Sequence, residues 1–178
     1  MTMKLLADNT ADTTDLSSVS FTSGIDSTYK LYIFEFININ PATDGTFLTF
    51  QVNATDGADY NDSAITSSAF RAAHGDGGGM GEAEYLTGDD QAQGTAFQRI
   101  GYAGDGSDEH TSGALFLFNP SSTTYVKHWY SRSMGDNGEA AWHNFMAGYI
   151  NDTTAIDDIQ FKISSGNFDG TIKMYGVG

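Results

Sequence analysis

With no cysteine among its 178 residues, the first candidates for chemistry in this chain are four histidines and 23 carboxylates. His74, His110, His128 and His143 stand apart, with no HxH or HxxxH spacing to bring two imidazoles onto one metal. His74 and His110 do fall in acidic, glycine-rich stretches, HGDGGGMGEAEYLTGDDQAQG (74–94) and AGDGSDEHTSG (103–113). A third stretch, SRSMGDNGEAA (131–141), precedes Trp142, whose ring can stack on a sugar. Read as loops, the three stretches make His74, Asp76, Asp105, Asp108, Glu109, Asp136 and Trp142 the candidate binding residues. No catalytic residue and no metal-ligand set is among them. Carboxylate oxygens suit calcium, and Asp56 to Asp62, Asp105 to Glu109 and Asp136 to Glu139 supply them, though none follows the fixed order of a twelve-residue calcium loop. Calcium is therefore the one cofactor the clusters admit.

Other patterns are weaker. GDGGGMG (75–81) lacks the GK[ST] ending of a phosphate loop. Paired carboxylates and a Ser-His-Asp set have no recognisable spacing. Glu35 interrupts an apolar run, which can raise a carboxyl pKa, but a salt bridge or an edge position is the plainer expectation. Tyr125, Trp129 and Tyr130 join Trp142 as aromatics that could meet a sugar, a core or a subunit interface. Asn53, Asn61 and Asn151 begin glycosylation tripeptides that are read as chance, since Met1 to Leu6 is too short for a signal-peptide core.

The elements that must position these residues read as strands. Tyr29 to Ile39 carries Tyr32, Phe34 and Phe36 in one row and Leu31, Ile33, Ile37 and Ile39 in the other, which predicts a central strand covered on both sides. Asn40 to Gly45 holds Pro and Asp-Gly, predicting a turn into a return strand over Thr46 to Asn53. Ile159, Phe161 and Ile163 alternate with polar residues, and after Ser165 to Asp169 the chain returns with Ile172 and Met174 in one row. Shorter strands are predicted over Met3–Ala7, Leu16–Phe21, Ala64–Ala73, Phe97–Tyr102, Ala114–Phe118, Thr124–Tyr130 and Trp142–Ile150. With 13% aromatics, 21 Gly and two Pro, eight to ten such strands make an all-β chain. The expected fold is a single antiparallel β-sandwich over residues 1–178, of jelly-roll type. Its hairpins would be Tyr29–Asn53 and Ile156–Val177.

A net charge of −15 opposes binding to a nucleic-acid backbone or an anionic membrane, and no apolar run is long enough to cross a bilayer.

Four stretches, SFTSGIDSTYKLYIFEFININPATD (20–44), AQGTAFQRI (92–100), LFLFNPSSTTYVKHWYSR (115–132) and AGYINDTTAIDDIQFKISSGNFDGTIKMYGVG (147–178), resemble a family of small virion proteins of tailed, marine-type bacteriophages. The closing Ile-x-Phe strand, Ser-Ser-Gly-Asn and Gly-Thr-Ile-Lys-Met-Tyr-Gly is the most specific part. The resemblance implies a non-enzymatic structural protein, made in the host bacterial cytoplasm and carried on the virion. On it rest two expectations: a capsid decoration protein on the major capsid lattice, or a tail fibre module that recognises host glycans. Either would act as a homo-oligomer, a trimer for choice. A glycan hydrolase is the third and weakest alternative.

Overall fold

The computed structural model describes residues 2–10, 12–57, 59–61 and 63–178; Asp62, the last acid of the Asp56 to Asp62 cluster, lies outside them. Thirteen strands form two sheets. They are β1 (Met3–Asp8), β2 (Val19–Phe21), β3 (Leu31–Pro41), β4 (Thr46–Ala54), β5 (Ile65–Gly75), β6 (Glu82–Tyr85) and β7 (Ala92–Gly94). The rest are β8 (Gln98–Ala103), β9 (Thr111–Phe118), β10 (Lys127–Asp136), β11 (Ala140–Ile150), β12 (Ile156–Ile163) and β13 (Phe168–Val177). The larger sheet runs β1-β13-β3-β9-β10-β11-β5-β6, with β7 also on β5, and the smaller runs β2-β12-β4-β8. All pairings are antiparallel. The expected all-β sandwich is thus the observed one, with thirteen strands in place of eight to ten, and with a larger sheet that alone exceeds the eight strands of a jelly roll.

The core forms where the inward rows of the two sheets meet. Tyr32, Phe34 and Phe36 from β3 and Leu115 and Leu117 from β9 face Phe50 from β4 and Phe161 from β12, all fully buried. Phe34 lies 5.4 Å from Phe161, and Phe50 lies 4.9 Å from Trp129, edge to face. Each such side chain contributes about 1.5–3 kcal/mol by leaving water.

Both expected hairpins turn out to be arches. β3 and β4 lie in different sheets, as do β12 and β13. Asn38, at φ 52°, makes a bulge between Phe36 and Ile39, so Ile39 turns into the core instead of joining Leu31, Ile33 and Ile37. The chain then leaves the larger sheet after Pro41 and joins the smaller one at Thr46. The two arches stack on each other: Ala42 N–H donates to Asn167 O, and Ser164 N–H donates to Phe47 O. Gly166, at φ 78°, sits where a Cβ would come within 2.7 Å of Thr43 Oγ1. Turn residues look alike in a hairpin and in an arch, so the sequence pattern alone could not separate the two.

Two predicted loops contain strands. β6 and β7 pair with β5 inside 74–94, and β10 continues to Asp136 through 131–141. In the second case the inward side chains are Ser131 and Ser133 followed by Gly135, because the backbone of β8 comes close there. A Cβ on Gly135 would meet Tyr102 O at 2.1 Å, and Ser133 donates to Ile100 O. Small residues replace apolar ones, and the period-two signal disappears. Leu16, predicted within a strand, makes only an isolated bridge to Phe168.

Candidate functional site

The sequence-predicted residues gather at one end of the sandwich but do not form one site. Asp76 N–H donates to Glu139 O and Gly104 N–H donates to Asp136 O, which brings the three acidic stretches together. Asp105 and Glu109 converge with Asp44 from the β3–β4 arch, their candidate ligand atoms within 4.8 Å of one another. Three carboxylates are fewer than the six to eight oxygens calcium takes, so a cation there would draw the remainder from carbonyls and water. Asp44 was not foreseen as a member, since only the arch carries it to this end. Gly106 N–H donates to Glu109 Oε2, and Asn40 Nδ2 donates to the carbonyls of Gly106 and Glu109, which fixes the loop. Asp108 is exposed, and His74 stands exposed on β5 outside the carboxylate group.

Trp142 is a correction as a binding residue, and Trp129 takes the core place among the alternatives its type offers. Trp142 is only 7% exposed; its indole Nε1 donates to Asn137 Oδ1 and the Arg71 guanidinium covers its ring at 4.1 Å. Trp129 is 2% exposed against Phe50. Neither can meet a sugar, because both point inward on strands whose outward residues are their sequence neighbours. Tyr130 and Tyr125 do reach solvent. Glu35 is a second correction: it lies on the central strand β3, facing outward, and has no salt bridge among the described residues.

The surface that the candidate residues missed is the outer face of the larger sheet. Among the described residues ten large hydrophobics are exposed, and Met3, Leu5, Ile37, Phe70, Tyr85, Phe118, Tyr130 and Met134, eight of the ten, lie there. Pairing registers set them in rows. One row reads Leu5, Tyr175, Ile33, Phe116, Tyr130, Ala147, Ser68 from β1 to β5. The next reads Lys173, Glu35, Ala114, Arg132, Phe145, Phe70, Tyr85 from β13 to β6. Phe116 and Tyr130 stack at 4.5 Å, and Phe70 and Phe145 at 4.9 Å. Between these pairs lies a slot of about 350 Å³, walled by Tyr130, Phe145 and Phe70 and floored by Ala147 and Ser68.

Arg132 borders the slot. Its Nε donates to His143 Nε2 at 2.6 Å, an arrangement that requires a neutral imidazole, and its guanidinium carbon lies 5.3 Å from the Phe145 ring centre. Burial, and then the Arg132 charge, lower the His143 pKa and favour that neutral form. Across the face, Tyr175 has its pKa raised, first by burial and then by Glu35.

Compared with known proteins, the chain matches no family model and no curated protein sequence.

The outer row of β3 was a legible signal. Leu31, Ile33 and Ile37 predict a covered face, yet the row is only half buried and no third layer lies over it among the described residues.

Proposed function

We propose that this chain is a structural component of a bacteriophage virion, a capsid decoration protein on the major capsid lattice, and not an enzyme. The observation that carries the reading is the aromatic outer face of the larger sheet, where eight of the ten exposed large hydrophobics gather. A wide apolar face on a two-sheet scaffold suits packing against protein better than turning over a small molecule. The family resemblance of the four sequence stretches points the same way. In this reading copies associate with one another through that face, one end of the sandwich meets the lattice, and the acidic loops face solvent. The net charge of −15 keeps the protein off packaged and host DNA. Quantitative mass spectrometry of purified particles tests it: the protein should stand in fixed ratio to the major capsid protein. Its absence from heads, or its presence at the tail tip alone, would overturn the assignment.

A second reading, a tail fibre module that recognises host glycans, is favoured by a polar recess of about 450 Å³ on the smaller sheet. Phe97, Arg99, Lys162, Asp90 and Gln91 line it, and the Lys162 ammonium lies 3.8 Å above the Phe97 ring centre. Planar polar groups beside an aromatic wall suit a saccharide. Host polysaccharide arrays, run with and without calcium, should then show binding that Lys162→Ala abolishes. Arrays without a single hit would remove this reading.

A further inference from the structure

We propose that the outer face of the larger sheet is a self-complementary interface at which two copies of this chain pack face to face, about a two-fold axis running along β9. The inference rests on the face alone and not on the virion reading.

Its first support is charge placement. Glu35 on β3 and Arg132 on β10 lie directly opposite Ala114 of β9, one on each side of it, in the same row. Strand spacing separates them by about 10 Å across the small Ala114, and they form no salt bridge with each other within the chain. Neither makes a salt bridge among the described residues, although Lys173 stands directly beside Glu35 in the row and Tyr175 hydrogen-bonds to it. A two-fold axis along β9 exchanges β3 with β10, so each Glu35 meets an Arg132 of the other copy, twice per dimer. Arg132 uses Nε on His143, which leaves its two terminal amino groups free to fork onto a carboxylate. Two such ion pairs across the interface would set both the occupant and the register.

The second support is shape. The same axis exchanges β13 with β11, so that Tyr175 of one copy lies over Ala147 of the other. Ala147 is the floor of the slot between Tyr130 and Phe145, and an aromatic ring entering there finds aromatic walls on both sides. Phe116, on the axis, meets its own copy, and Ile33 meets Tyr130.

Area is the third support. The axis superposes seven strands, β1 to β5 in sheet order, about 34 Å across at the usual strand spacing, and four side-chain rows span about 20 Å along them. That is roughly 700 Å² a side, close to the approximately 800 Å² per partner of a standard stable interface. The trimer expected from the resemblance is not the assembly these charges select, since a face that pairs with itself closes at two.

Sedimentation equilibrium of the full chain provides the test. Wild type should run at twice the 19.1 kDa chain mass. Glu35→Arg and Arg132→Glu should each weaken the dimer at least about tenfold, and the double reversal should return to within about threefold of wild type. A wild-type monomer at about 100 μM, a trimer, or a double reversal weaker than either single would overturn the proposal. Circular dichroism checks folding, and if a reversal fails to fold, the neutral Glu35→Gln and Arg132→Gln variants take its place, each expected to weaken the dimer. A solution dimer missing from virions would leave this inference standing and remove the capsid assignment, and a virion-bound monomer would do the opposite.

Discussion

The two outer faces of the sandwich are finished in different ways. The smaller sheet is closed by its own chain. Gln51 on β4 is fully buried and its Nε2 donates to the carbonyls of Ser63, Thr95 and Ala96, fastening the loops before β5 and before β8 across the strands. Asp89 comes down on the same side to meet Arg99 at 2.7 Å, and the Arg99 guanidinium lies over Phe47. The larger sheet has no such cover among the described residues and presents rings and methionines instead. A face closed by its own loops needs buried polar hooks, because the loop backbone brings carbonyls that must be satisfied. A face closed by a second molecule, as proposed for the larger sheet, needs the opposite: apolar rows that the partner removes from water.

Substitutions can break that contrast in order of size. Gln51→Ala should cost about 3 kcal/mol, since it leaves the buried Ser63 carbonyl and the buried Val52 N–H without this partner and unfastens the Thr95 and Ala96 carbonyls; urea unfolding measures it. A loss under about 0.5 kcal/mol would mean that the loops cover the smaller sheet without holding to it. On the other face, Tyr130→Ser should change monomer stability by less than about 1 kcal/mol while weakening the dimer about a hundredfold, as an aromatic near the centre of an interface does. Equal effects on stability and association would erase the distinction between the faces.

Acid should act on the two sheets with opposite signs. His143, on the larger sheet, has a lowered pKa, so its folded form prefers to be neutral; no cost arises above its ordinary value, and stability falls as pH drops through the folded pKa. His143→Gln should flatten thermal stability over that window. On β12 of the smaller sheet, Asp157 has a raised pKa, from burial and then from Asp158. Its charged form is the disfavoured one, so a small cost present at neutral pH disappears as pH falls below the ordinary value of 3.8. Asp157→Asn should stabilise by less than about 0.5 kcal/mol at pH 7, and by less again at pH 4, in the same melting experiment.

The strands themselves were largely legible in the sequence. Ile159, Phe161 and Ile163 point inward as their alternation predicts, and so do Tyr32, Phe34 and Phe36. What failed was whatever depends on long-range geometry. Pro41 and Gly45 mark a change of direction without saying whether the chain returns to the same sheet, and a single bulge at Asn38 reversed the facing of Ile39. Ser131 and Ser133 hid a strand because their inward neighbour is backbone. For the site, acidic residues drew attention to the loops, and only Asp105 and Glu109 were brought together. Glu35 breaks an apolar row in the sequence, and the pairing register, invisible there, places Arg132 on the far side of Ala114 in the same row.

A crosslink at the axis examines the account most directly. The chain has no cysteine, so Ala114→Cys introduces one thiol on β9, and Gln160→Cys on β12 places a control on the smaller sheet. Faces packed about 10 Å apart are too distant for a disulfide but within reach of a short bismaleimide. Rapid conversion of the Ala114→Cys protein to a covalent dimer, with the control left monomeric, is the predicted result. Equal and slow crosslinking of the two would contradict the paired face.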